Sequence, residues 1–332
     1  MTKTEKKKDR RRRKILLAII MIMFTAVVLS VSTYAWFTAN RTVTVESIDV
    51  TVSTSQGLQI SADAANWKSI VTNNDITGAS WTGVINQIPQ GNSTAVPVST
   101  VGTVDSNGLM EMYKGTIEAD PTTGNNILTA VKTTETNGTS GDFVVFDLFF
   151  QSTVAQTVYL TSNSNVVAKG TSTGIENAAR VAFIKEGSVG AGSTAAQAQA
   201  IVGSQSKKIW EPNYDVHTPT GVANALNVYR KTVGQTGGEK LAYVGVKAPI
   251  AKANAIPLNS NDSAYFSSVE TVGSVASGIP TTAYINAFDV AAGITKVRIY
   301  MWIEGQDVDC EDKASGGSLT YNLQFSIDSS AS

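Results

Sequence analysis

The chain has 332 residues, with 26 Lys and Arg against 27 Asp and Glu, one Cys and one His. A single Cys excludes an intramolecular disulfide framework, and one His beside one Cys excludes most zinc sites and most nucleophilic triads. The net charge of −1 hides two opposite parts: nine basic and two acidic residues lie in the first 14 positions, so residues 36–332 hold 17 basic against 25 acidic, a net of about −8, and so acidic a body repels phosphate backbones and argues against nucleic-acid binding.

The first 35 residues read as one device. The block MTKTEKKKDRRRRK is followed by the apolar run of residues 15–31, broken only by Thr25 and Ser30, and then by STYAWFT. Basic, apolar and small-residue segments in that order are the layout of a secretory signal peptide. Thr33 and Ala35 supply the small side chains a peptidase needs, which places cleavage between Ala35 and Trp36. The alternative is a retained anchor, since 17 apolar residues approach the length of a spanning helix, ~17–25. In either case the body faces outward, and the membrane is touched only through the leader.

Beyond the leader, Thr, Ser, Asn, Gly, Ala and Val dominate and charge is sparse. Thr and Val favour strands, while Gly, Asn and Ser favour turns. Residues 36–45 (WFTANRTVTV) alternate with Val43 and Val45 on one face. The parity then slips at Glu46-Ser47, and Ile48, Val50 and Val52 continue on the other parity. Such a slip is a bulge or a break between two strands. The stretch GLQISA, residues 57–62, gives a short strand with Leu58 and Ile60 inward. Residues 66–107 are turn-rich, with Trp67 and Trp81 as packing aromatics. Residues 109–118 suggest two strands meeting at Lys114-Gly115, and residues 120–126 a turn.

FVVFDLFF, residues 143–150, has the length and content of a central strand buried on both faces. TVYLT, residues 157–161, follows after a hairpin or a sheet-switching corner. AARVAFIK, residues 178–185, is another strand, with Arg180 at its start expected to be a solvated or paired edge residue. Residues 194–202 form the best short-helix candidate. Residues 210–221 make an irregular loop holding His217, which lacks a second ligand or nucleophile beside it in sequence. Residues 228–238 and 251–278 read as long loops or an insertion. KVRIYMWIE, residues 296–304, is a strong strand with Val297, Ile299, Met301 and Ile303 on one face and Arg298, Tyr300, Trp302 and Glu304 on the other. SLTYNLQFSID, residues 318–328, alternates without a break and is the last strand.

No catalytic motif is present, and no cofactor is expected. The one oxygen-rich run is Asp307, Asp309, Glu311 and Asp312, a weak Ca²⁺ candidate that departs from the EF-hand pattern. A solvated acidic loop is the plainer expectation. Cys310 is expected to be buried and inert.

The leader end STYAWFT, followed by an exported all-β chain, resembles the TasA/camelysin family of Gram-positive bacteria. The closing strand SLTYNLQFSID is similar to that family's closing strand, and WIEGQDVDC resembles a segment of exported proteins with the same leader. The resemblance implies processing by a SipW-type signal peptidase. It also implies a jelly-roll subunit of an extracellular biofilm-matrix fibre, polymerised head to tail by donor-strand exchange of the mature N-terminus.

These readings converge on an all-β, two-sheet sandwich of jelly-roll type with long Gly/Ser/Thr-rich loops and one or two short helices. Residues 1–35 are expected to form the signal peptide, 36–47 an N-terminal extension and candidate donor strand through Trp36, Phe37, Val43 and Val45, the alternative being that it pairs within its own chain, and 48–332 the sandwich. The expected role is a secreted, non-enzymatic fibre subunit. The alternative is a monomeric or membrane-anchored adhesion module, and a secreted protease is the least supported.

Overall fold

The computed structural model describes residues 42–52, 57–79, 83, 85–89, 95–236, 241, 243–257, 262–273, 284–311 and 316–328. Ala35, Trp36, Phe37 and Trp81 lie outside the described residues, as does Asp312 of the acidic run.

Eight strands form the sandwich: β1 (Thr44–Val52), β2 (Val144–Ser152), β3 (Gln156–Leu160), β4 (Ala179–Val189), β5 (Ser206–Glu211), β6 (Ile285–Val290), β7 (Gly293–Ile303) and β8 (Ser318–Ser326). Sheet I runs β6-β3-β8-β1, extended past β1 by Ile70–Thr72, with Asn165–Ala168 also paired to β8. Sheet II runs β5-β4-β7-β2, extended past β2 by Gln59–Ser61 and past β5 by Val272–Gly273, with Asn86–Gln87 also on β2. Every connection except β4–β5 crosses from one sheet to the other. That is the strand order of a jelly roll, as expected from the sequence. One pairing departs from it: β1 runs parallel to β8, while the other pairings among the eight strands are antiparallel.

The alternating rows meet between the sheets. Val45, Ile48, Val50 and Val52 of β1 and Leu319, Tyr321, Leu323 and Phe325 of β8 face Phe146, Leu148, Phe150, Val297, Ile299 and Met301. Phe150, Phe183, Phe288 and Phe325, one each from β2, β4, β6 and β8, pack mostly edge to face at the centre, with ring centroids 4.8–6.0 Å apart. Aromatic quadrupoles favour that geometry over face-to-face stacking.

The long connections β1–β2 and β5–β6 build a third layer. Met112–Ala119 and Asn126–Thr133 form a hairpin, joined by Ile256–Pro257; Tyr243–Val246 pairs with Phe266–Val269. Met112, Val98, Tyr243 and Val269 cover the outer face of sheet II against Val145, Ile184, Tyr300 and Trp302. This layer helps bury the outer row of β7 throughout and that of β2 as far as Phe149. It also corrects two expectations. Residues 112–119 form one strand through Lys114-Gly115, because cross-strand partners on 126–133 continue without a break. Within residues 251–278, which read as loop or insertion, Ile256–Pro257, Phe266–Val269 and Val272–Gly273 are strands.

Helices are short: α1 (Asn73–Gly78), α2 (Ala195–Gln199) and α3 (Pro219–Asn224). The helix expected over 194–202 is thus trimmed to one turn, with Thr194 as its N-cap accepting from the Gln197 amide. No helix among the described residues is long and apolar enough to cross a membrane.

Candidate assembly strand and the ionic clusters of sheet II

The parity slip at Glu46-Ser47 is a β-bulge. Val45 sits opposite Leu319 and Ser47 opposite Thr320, so the register jumps by one residue between them and resumes at Ile48 opposite Tyr321. The bulge rephases the strand, so Val43 and Val45 before it and Ile48, Val50 and Val52 after it all point into the core. The boundary expected at residues 47/48 is therefore corrected, because β1 crosses it as one strand. Val43 and Val45 are buried within their own chain, Val43 bridging Ala95. On the other edge of β1, three residues pair with Ile70–Thr72. Ser47 and Thr320, on the outer side, bring their hydroxyls to 3.4 Å.

The acidic run lies in the buried loop after β7, against the expectation of a solvated loop. Asp307 and Asp309 are 6 % and 1 % exposed. Their carboxylates are committed to partners. Asp307 pairs with Arg180, whose other partner is Glu211 at 2.7 Å, and also accepts from the Asp309 amide. Asp309 contacts His217 Nδ1 at 2.8 Å and accepts from the Thr218 amide. Glu311 accepts from the Thr218 hydroxyl. Among the described residues no group of three or more His, Cys, Asp or Glu is placed to hold a metal ion. The Ca²⁺ candidate is corrected accordingly: its oxygens diverge onto an arginine, a histidine and α3.

Arg180 is likewise no edge residue. It is fully buried on β4, donates to the Asn177 and Ala179 carbonyls, and lies 5.3 Å from the centre of the Tyr243 ring. Burial would lower its pKa, but Glu211 and Asp307 outweigh burial and hold it charged. His217 behaves in the same way: burial opposes its charge, and the Asp309 hydrogen bond and carboxylate raise its pKa above the ordinary value. Nearby, burial pushes the Glu304 carboxyl up to about 7, against donors from Ser99, Trp302 and the Gln306 amide. Cys310 is buried, as expected.

A second cluster lies farther along the same face. Arg298 on β7 clamps Asp147, directly opposite on β2, through Nε at 2.8 Å and Nη2 at 3.2 Å. Lys296 Nζ lies 2.8 Å from Glu186 and 3.4 Å from Asp147, and donates to the Ile201 carbonyl. Arg298 Nη1 lies 2.7 Å from Glu186. All four residues are 3 % exposed or less. Two cations and two anions balance, which is the condition for charges to be tolerated without water. In sequence only the outward row of KVRIYMWIE pointed to this cluster, since it mixes charge with aromatics that a wet face would not need.

No protein-family model, no curated protein and no solved structure matches this chain.

Proposed function

We propose that this protein is an exported, non-enzymatic structural subunit of an extracellular fibre, joined to its neighbours by exchange of the N-terminal strand. The reading includes cleavage between Ala35 and Trp36 by a signal peptidase. One observation carries it: the first strand of the sandwich is held by the last, in the parallel sense, whereas the other pairings among the eight sandwich strands are antiparallel. Parallel ladders are slightly weaker per residue than antiparallel ones. β1 also precedes every other strand among the described residues, so withdrawing it unthreads none of them. The same strand of a second copy offers the same Val45, Ile48, Val50 and Val52 to the groove of Leu319, Tyr321, Leu323 and Phe325.

Exchange of an identical element keeps every contact, and a head-to-tail exchange that does not close gives a filament. In this reading Val43 and Val45 anchor the donor strand and Trp36 and Phe37 extend it. Partners are further copies of the chain and, during export, the peptidase and the membrane. The TasA/camelysin resemblance of the leader supports the same role.

The adhesion-module reading is favoured by a different observation, the burial of Val43 and Val45 in their own chain. A pinned strand separates the two. Cysteines at Ser47 and Thr320, which are register partners, tie β1 to its own β8 when oxidised. For a chain beginning at Trp36, electron microscopy is expected to show fibres from the reduced S47C/T320C form and monomers from the oxidised form. Fibres from the oxidised, intramolecularly linked form would overturn strand exchange. Monomers from both, with the unmodified chain also monomeric, would favour the adhesion module.

A further inference from the structure

We propose that Lys296 and Asp147 condense into an amide that covalently staples β7 to β2. The geometry of three neighbouring strands supports this. Lys296 sits on the central β7, Asp147 on β2 and Glu186 on β4, all buried beneath the Asn107-Gly108 turn and the segment at Gln199 and Ile201. Asp147 Oδ2 is 3.4 Å from Lys296 Nζ, which brings the amine and the carboxyl into direct contact in one fixed arrangement. Glu186 is 2.8 Å from Nζ, the distance a proton acceptor needs. Arg298 Nε sits 2.8 Å from Asp147 Oδ1, where charge develops when the carboxyl carbon is attacked.

Two features of the backbone are spent on Glu186. The β4–β7 register jumps between Lys185 and Gly187, so Glu186 occupies a β-bulge, a device that re-aims one side chain. Gly108 then lies over it at φ +74°, where a Cβ would come within 2.4 Å of Glu186 Oε1. Burial first, then Asp147, pushes the Glu186 carboxyl up to about 7 against the pull of Arg298 and Lys296. A carboxyl so placed both takes and returns protons near neutral pH.

The step balances with no added reagent. Glu186 removes a proton from the Lys296 ammonium, and the freed Nζ lone pair attacks Cγ of Asp147. Arg298 stabilises the oxyanion on Oδ1. Glu186 passes that first proton to Oδ2 and then relays a second from the attacking nitrogen. The C–Oδ2 bond breaks, water leaves and the C–N bond remains. One ammonium and one carboxylate become one neutral amide, and Arg298 is left facing Glu186, so the buried charge stays balanced. A chain without disulfides thereby gains a covalent tie between its central strands. The proposal does not depend on the fibre reading.

Intact-mass spectrometry of the purified full chain under denaturing conditions tests it. The expected mass is lighter than the sequence mass by one water, and a protease digest is expected to yield a branched peptide joining Lys296 to Asp147. The D147N form is expected to lose one ammonia instead. E186Q, which preserves shape, is expected to keep the unreacted mass or to lose water far more slowly, as is K296R. An unreduced mass in the folded unmodified chain would overturn the proposal, whatever the variants do. A branch from Lys296 to Glu186 would overturn the assignment of Asp147 as the acceptor.

Discussion

The two sheets of this sandwich share a core and differ in what lies behind them. Sheet I is wet on its outer side. Along β8, buried and half-buried residues alternate almost to the end, and β1 alternates likewise except at its bulge. Sheet II is buried on both sides over most of β2, β4 and β7, and its outer face carries two sets of opposite charges. A strand of sheet I exchanges one row of aliphatic contacts for another. A strand of sheet II would strand unpaired charges in a low-dielectric interior, which is prohibitive. The fold thus separates a sheet locked by buried charge from a sheet held by apolar rows alone, and β1 belongs to the second, between β8 and Ile70–Thr72.

The sharpest way to break that comparison is to remove β1. A chain beginning at Gly57 loses Val45, Ile48, Val50 and Val52 from the core, each worth about 1.5–3 kcal/mol of burial. That total rivals the whole stability of a typical domain, ~5–15 kcal/mol. The truncated chain is expected to lose its cooperative unfolding transition by circular dichroism and to regain it when a synthetic peptide of residues 42–52 is added. Failure of the peptide to bind would mean that β1 is not replaceable.

Next in size is Arg180→Met. It leaves Glu211 and Asp307 facing each other without a cation, at a cost of about 3–5 kcal/mol read from urea unfolding. In sheet I, Ile48→Val is expected to cost only about 0.5–1.5 kcal/mol by the same measurement. Equal costs would erase the distinction between the sheets.

The smallest expected effect is a pH dependence that belongs to sheet II and its loops. Glu186 and Glu304 titrate at about 7 in the fold against 4.5 in the open chain. Between those values the folded state binds more protons than the unfolded, so stability falls as pH rises. His217 acts in the same direction: its contribution is complete below 6.5 and is lost as pH rises through its raised folded value. The urea midpoint is therefore expected to be higher at pH 5 than at pH 8, and E304Q to flatten the difference. A midpoint that rises with pH would contradict these shifts.

Much of the frame was legible from pattern alone. β2, β7 and β8 announce themselves through apolar length or strict alternation, and Phe143, Val297 and Leu319 lie where the sequence places them. β1 was legible too, but the meaning of its parity slip was not: a bulge and a strand break have the same one-residue signature, and only the partner strand distinguishes them. The third layer was only partly legible: residues 109–118 read as strand, whereas Tyr243–Val246 and Phe266–Val269 are four residues each and pack against strands far away in sequence. That concealment spread to the charges. Arg180, Asp307 and Asp309 look like surface residues until Tyr243, Glu211 and the segment from His217 to Gly221 are known to lie against them. His217 looked solitary because Asp309 is 92 positions away.

The most direct test of strand exchange is to mix two singly substituted chains, each beginning at Trp36, one carrying S47C and the other T320C. Under oxidising assembly conditions the account predicts a disulfide between Cys at 47 of one chain and Cys at 320 of another, read as a dimer on a non-reducing gel and as the linked peptide by mass spectrometry. Fibres that form from the mixture without that link would contradict it, because β1 would then be held by its own β8 and the subunits joined elsewhere.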